Sequence, residues 1–237
     1  MRDIFIHKLF APIKKYFPRW VSNFIRSVGT AIIGPILFSQ RTGYFKSAFR
    51  MKAVSKNGAP IPWYTYPSIE FLEFRDYKNK KVLEFGGGQS SLWWANKAEQ
   101  VVTFEGDQAW YDEINNTMPA NVDLQYISME SIETNICQVR DYLASQTIKK
   151  FDVIVIDGLY RRSMIAIALE YLSNDGILIC DNAEGYGFYE ELKESDLMRV
   201  DFYGNAPGVV FPHCTSIYFN SGSFVFNSQY PIVRLTK

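Results

Sequence analysis

The sequence predicts an α/β protein with an open, mostly parallel sheet covered by helices on both faces and a helical N-terminal extension in front. Three observations carry that prediction. Between residues 81 and 181 short apolar runs alternate with helix-patterned segments, as a parallel sheet covered on both faces requires. The stretch KVLEFGGGQSSLWWA, residues 81–95, reads as a buried strand that passes through three glycines into a helix. The first 56 residues differ in kind. They hold eleven Lys or Arg against one acid, Asp3, a charge of +10 that leaves −10 on the rest of a chain whose formal net charge is zero.

Residues 1–40 intersperse basic residues with large apolar ones at spacings of three and four, an amphipathic helix pattern interrupted at Pro12, Pro18 and Gly34-Pro35. The segment is a poor membrane span, because its longest uncharged run, 27–40, contains Gly29, Gly34 and Pro35. It is also a poor signal peptide, since Lys14, Lys15, Arg19 and Arg26 interrupt the apolar residues. Two readings stand: a helical lid or homodimerisation arm packed on the main domain, or an in-plane anchor on an anionic membrane surface. The turn-rich run NGAPIPWYTYP, 57–67, divides a 1–56 extension from a 57–237 domain. Its Trp63, Tyr64 and Tyr66 either pack against the prolines or line a pocket mouth. Ser68 is placed to cap the helix IEFLEF.

Strands are expected at 81–85, 101–105, 122–127, 151–157 and 176–181, with helices at 90–98, 109–116, 131–146 and 162–172 between them. Beyond Asn182 a short helix at 189–194 precedes the strands MRVDFYG and CTSIYFN. No crossover helix fits between those two, so they form an antiparallel pair at one edge of the sheet. Cys137, Cys180 and Cys214 are widely spaced, lack a Cys-x-x-Cys pair, and read as reduced thiols of a cytoplasmic protein. His7 and His213 are the only histidines, which excludes a multi-histidine metal centre.

Open parallel sheets bind ligands beyond the carboxyl ends of their strands. Those ends carry Glu84 with the 86–88 glycine loop, Glu105, the 128–130 turn, Asp157, and Asp181 with Asn182. Such an acidic rim suits a ligand with hydroxyls and positive charge better than one with phosphates. A dinucleotide site wants Gly-x-Gly-x-x-Gly, whereas here the third glycine position is Ser91 and Glu84 stands two residues before the first glycine. Glu105 is placed to accept ribose hydroxyls, a role that an acid in this position also plays in NAD enzymes.

Glu84-Phe85-Gly86-Gly87-Gly88 resembles the acidic-x-Gly-x-Gly motif of class I S-adenosylmethionine-dependent methyltransferases. The resemblance extends over residues 81–219 through Glu105, the FDVIVID strand and the closing antiparallel pair. PIPWYTYP, LEFGGGQSSLWWA, DNAEGYGFYE and PHCTSIYF are similar to a bacterial group of such proteins, a likeness that names no substrate. The family resemblance implies a Rossmann-like seven-stranded sheet in which only the last strand runs against the others. It also implies cofactor lying over the loop, with Gly86, Gly87 and Gly88 near its methionine part and Glu84 ordering loop and ammonium. Glu105 would hold the ribose, Gln89, Ser90 and Ser91 would donate from the helix start, and Phe85, Gly106 and Asp157 would complete the contacts.

Asp157, Asp181 and Asn182 end neighbouring strands, and two carboxylates with an amide carbonyl are hard ligands suited to Mg²⁺. The trio is similar to the metal site of catechol-type O-methyltransferases, with the departure that Leu159-Tyr160-Arg161-Arg162 stands where that family has a lysine. Strand-end capping without metal is the alternative. His213 and Asp157 are the candidate catalytic groups. His213, with an ordinary pKa of about 6.5, is suited to deprotonate a hydroxyl or amine. Tyr186 and Tyr189 would form a substrate-side loop, while Trp93 and Trp94 read as helix packing.

These residues point to methyl transfer onto O or N of a small-molecule, glycan or lipid-linked acceptor. Alternatives are a non-catalytic binding or assembly protein at the membrane surface, and an aminopropyltransferase or NAD-dependent enzyme on the same fold. Nucleic acid is a poor partner for an acidic domain, and the base-flipping Asn-Pro-Pro-aromatic motif is replaced by Asp157-Gly158-Leu159-Tyr160.

Overall fold

The structure, a computed structural model, describes residues 16–158, 160–227 and 229–230. The pattern expected for residues 1–15, with Pro12 and His7, lies outside them, as does Leu159. Helix α1 (Arg19–Thr42) starts directly after Pro18 and ends at Gly43 in the left-handed region. It does not break at Gly34-Pro35 as its sequence predicts. Pro35 removes one helical hydrogen bond, to Ala31, and Ala31 is exposed, so its carbonyl is free to bind water. Among the described residues α1 is the one helix long and apolar enough, by length and composition, to cross a membrane.

Helix α2 (Tyr44–Arg50) follows, and the buried core begins at Ala53 and Val54. Helix α3 (Tyr66–Glu73) is capped at Thr65 rather than at Ser68. Pro67 fits the first turn, where no amide donor is needed. The Ser68 hydroxyl instead donates back to the Thr65 carbonyl at 2.8 Å.

The sheet then assembles from β1 (Lys81–Phe85), β2 (Gln100–Glu105), β3 (Val122–Tyr126), β4 (Phe151–Ile156), β5 (Leu172–Asp181), β6 (Met198–Gly204) and β7 (His213–Phe219). Helices α4 (Gln89–Ala95), α5 (Gln108–Asn115), α6 (Ile132–Ser145), α7 (Ile165–Tyr171) and α8 (Phe188–Leu192) connect them. Strand order is β3-β2-β1-β4-β5-β7-β6. Only β7 runs against the rest, pairing antiparallel with both β5 and β6. The expected start of β5 at Gly176 is four residues late, because the chain already joins β4 at Leu172 and is offset at an irregularity between Phe151 and Val153.

Alternation along each strand builds two cores. Leu83, Phe85, Ile154, Ile156 and Leu178 face α6, α7 and α8. Val82, Val153, Val155, Ile177 and Ile217 face α3 and α4, where Trp93 and Trp94 are buried. At about 25 cal/mol per Å² of apolar surface, this two-sided burial is what holds a strand such as β4, apolar but for Asp152, in place.

Candidate functional site

The carboxyl ends of β1, β2, β4 and β5 open into a cleft of about 580 Å³. Gly86, Gly87, Gly88, Gln89, Ser90, Glu105, Asp157, Asp181, Asn182, Tyr186 and His213 all line it. Phe85, Gly106 and Met129 face a separate small cavity of about 40 Å³ instead. Glu84 and Ser91 are fully buried behind the loop. A larger groove of about 760 Å³ is bounded by the end of α1, α3, α4 and Gly204 at the end of β6, and contains none of the glycine loop or of the acidic residues at the ends of β1, β2, β4 and β5. Its Lys97–Glu73 pair, at 3.1 Å, is internally neutral.

The glycine loop is held from three sides. Gly86 has φ of 103°, and a Cβ there would lie 2.8 Å from the Gly158 amide, so only glycine lets β1 and the end of β4 meet. Ser91 Oγ accepts from the Gly88 amide at 3.0 Å and donates to Glu84. Trp110 of α5 donates its indole N–H to the Gly87 carbonyl at 2.8 Å and itself lines the cleft. Glu105 closes the arrangement: its carboxylate accepts from the amides of Gly87 at 2.9 Å, Gly106 at 2.7 Å and Asp107 at 2.8 Å. Asp107 in turn caps α5 by accepting from the Trp110 amide.

Glu84 accepts from Ser91 and from Thr103 through one oxygen, and the other, Oε1, is buried with no hydrogen-bond partner. Burial raises its pKa from 4.5 to about 7, with the hydroxyls of Ser90, Ser91 and Thr103 opposing. Between these two values the folded protein keeps a proton that the unfolded chain has released. This group's contribution is therefore fully present below pH 4.5 and is lost as pH rises through about 7. Glu84→Gln removes the titration, so thermal unfolding followed against pH should show a flatter decline for the variant than for wild type across that window.

The expected Mg²⁺ ligands need correcting. Arg161, 11% exposed at its side chain, inserts its guanidinium among them. Its Nε donates to the Gly158 carbonyl at 3.0 Å, and Nη1 to the Asp181 carbonyl at 2.6 Å and Asn182 Oδ1 at 2.8 Å. Nη2 reaches the Asp157 carbonyl at 3.1 Å and Asp157 Oδ1 at 2.9 Å. Four hydrogen bonds and one ion pair thus hold the guanidinium, and the Tyr186 ring covers it at 4.2 Å. One carboxylate oxygen of Asp157 and the Asn182 amide oxygen are thus engaged by an internal cation. Among the described residues no group of three His, Cys, Asp or Glu is arranged to hold a metal ion. Asn182 has φ of 51°, a left-handed turn that presents its Oδ1 to the arginine.

Asp157 is pushed well above the ordinary carboxylate range by burial and then by Asp181, with Arg161 opposing. Asp181 accepts from Thr215 at 2.7 Å, and His213 Nε2 lies 3.7 Å from the same oxygen, Oδ1. That separation is too long for a hydrogen bond, and Nε2 is buried without a partner. The Asp181 carboxylate, with help from Glu184, raises the imidazole above its usual 6.5, against the effect of burial.

Sequence reasoning missed Trp110, Asp107 and the role of Arg161. Asp107 carried a signal, an Asp directly before a helix, and Trp110 follows three residues later in the capped turn.

No protein-family model matches the chain, and no curated protein matches it in sequence. Among solved structures, an O-methyltransferase from Bacillus cereus in complex with SAH is 15% identical with a TM-score of 0.51, covering 74% of this chain and 90% of its own. A methyltransferase from Geobacter sulfurreducens is 15% identical with a TM-score of 0.48, over 82% of this chain and 97% of its own. A precorrin-6y C5,15-methyltransferase from Geobacter metallireducens is 12% identical with a TM-score of 0.45, over 65% and 86%. The first of these likenesses, together with the strand order, shows that the chain has the fold of class I S-adenosylmethionine-dependent methyltransferases.

Proposed function

We propose that the protein transfers a methyl group from S-adenosylmethionine to an oxygen or nitrogen of a small-molecule, glycan or lipid-linked acceptor. The observation that carries this reading is the charge of the cleft. Glu105, Asp107, Asp157 and Asp181 line it, and its one arginine is paired with Asp157, so acidic groups outnumber basic ones. Such a wall repels phosphates and favours a cationic ligand.

The residues present fit that cofactor. The tight turn at Gly86 brings bare backbone to the cleft, and Glu105 retains acceptor capacity for hydroxyls. When bound, S-adenosylmethionine supplies an electrophilic methyl group on a sulfonium. The chain's own work is mostly positional. His213, which lines the cleft, takes the proton of a hydroxyl or amine acceptor, and Asp181, 3.7 Å from its Nε2, stabilises the resulting imidazolium.

Because the His213 pKa is raised, its basic form accumulates only above 6.5, and turnover should rise with pH to a midpoint beyond that value. His213→Gln should abolish that limb and slow transfer by about 100-fold or more, while Asp181→Asn should move the midpoint down. A pH–rate profile of the three proteins checks this. Calorimetry with S-adenosylmethionine, S-adenosylhomocysteine and NAD tests the reading as a whole. Binding of the first two with no binding of NAD supports it, and binding of NAD alone overturns it. A labelled-methyl screen against cell extract then separates a transferase from a protein that only binds.

A further inference from the structure

We propose that the protein docks in-plane on an anionic lipid bilayer through α1, α2 and the loop at 206–212, and that its acceptor is an amphiphile carried in that bilayer. The second half rests on the methyltransferase reading above, and the docking does not. Residues 16–56 contain seven Lys or Arg and no Asp or Glu. The same segment exposes large apolar side chains in rows. Trp20 and Phe24 of α1 are 74% and 67% exposed, and Phe45 and Phe49 of α2 are 71% and 80% exposed with their rings stacked at 6.4 Å. Four-residue spacing puts each pair on one helix face.

Next to α2, Val210 and Phe211 are 76% and 79% exposed on a loop fixed to that helix. The Tyr44 hydroxyl donates to the Val209 carbonyl at 2.9 Å, and Gly208 packs so closely that a Cβ there would lie 2.6 Å from the Ala48 amide. That loop also forms the mouth of the cleft. Val209 lines it, and Trp63, another lining residue, donates its indole N–H to the Pro207 carbonyl at 2.9 Å. Apolar face and cleft mouth therefore share one short segment.

Exposed apolar side chains grouped this way mark an interaction surface, and the charge selects its partner. A twofold contact with a second copy sets this cationic segment against itself, whereas anionic headgroups attract it and aromatic side chains settle at the headgroup boundary. The geometry also selects lying over spanning. Helix α1 is about 36 Å long, but Arg26 interrupts it, and the uncharged stretch 27–40 covers only about 21 Å, less than the hydrocarbon thickness of about 30 Å.

The test is flotation of the full chain with phosphatidylcholine vesicles, with and without phosphatidylglycerol. Binding is expected only with the anionic lipid, weakened by high salt, and reduced at least about tenfold in a Phe49→Asp, Phe211→Asp variant whose melting temperature and cofactor binding match wild type. No flotation at low salt, equal flotation of the variant, or a dimer that the variant disrupts while flotation is absent overturns the docking. For the acceptor, label from the methyl donor should appear in the organic phase of a membrane extract. Label confined to the aqueous phase, or absent from both phases, overturns the second half. Failure to bind S-adenosylmethionine would strike the methyltransferase reading and leave the flotation result standing.

Discussion

Glu105→Ala is expected to weaken S-adenosylmethionine binding by about 100-fold or more, close to 3 kcal/mol. The carboxylate gathers the amides of Gly87, Gly106 and Asp107, so its removal leaves three donors without their acceptor as well as removing the hydroxyl-binding group itself. Calorimetry reads the loss directly. Glu105→Gln separates the two contributions: it keeps a carbonyl acceptor for the loop but loses the charge, so it should fall between wild type and alanine. Wild-type affinity in Glu105→Ala would overturn the placement of the cofactor over this loop.

Arg161→Ala should cost about 3 kcal/mol of stability, because it removes a partly buried ion pair to Asp157 and the charged donors that hold the strand ends. For a chain of this size that is a fall of roughly 10 °C in melting temperature. It also frees the backbone carbonyls of Asp157, Gly158 and Asp181, which the arginine ties across the ends of β4 and β5. Arg161→Lys restores charge but brings three donors where four hydrogen bonds are made, so it should recover only part of the loss. Thermal unfolding of both variants checks the order. A melting temperature for Arg161→Ala equal to that of wild type would show that the guanidinium does not brace the strand ends.

The sheet was legible because its strands are apolar runs that stop at charged or glycine residues, and each stop marks a carboxyl end. From those stops came Glu105, Asp157, Asp181 and the 86–88 loop, all of which line the cleft. What could not be read was contact between residues distant in sequence. Arg161 looks like half of an exposed Arg161-Arg162 pair, and nothing in the spacing says that it turns inward to Asn182 while Arg162 pairs outward with Glu191. The helix pattern around Trp110 marks amphipathicity but not the bond to Gly87. The break expected at Pro35 failed for a simpler reason: proline's cost depends on whether the carbonyl it strands can reach water.

The reversed direction of β7 has a consequence for how the molecule can diversify. Because β6 and β7 run antiparallel, Gly204 and His213 face each other across the ladder, and the chain between them turns at the same edge as the cleft. A hairpin connection tolerates changes in length at small entropic expense. A change of length in 205–212 therefore leaves the register of the strands intact and falls instead on the loop's contacts with Tyr44, Trp63 and Ala48. This side of the cleft mouth is thus held by α2 and by Trp63 rather than by the sheet register.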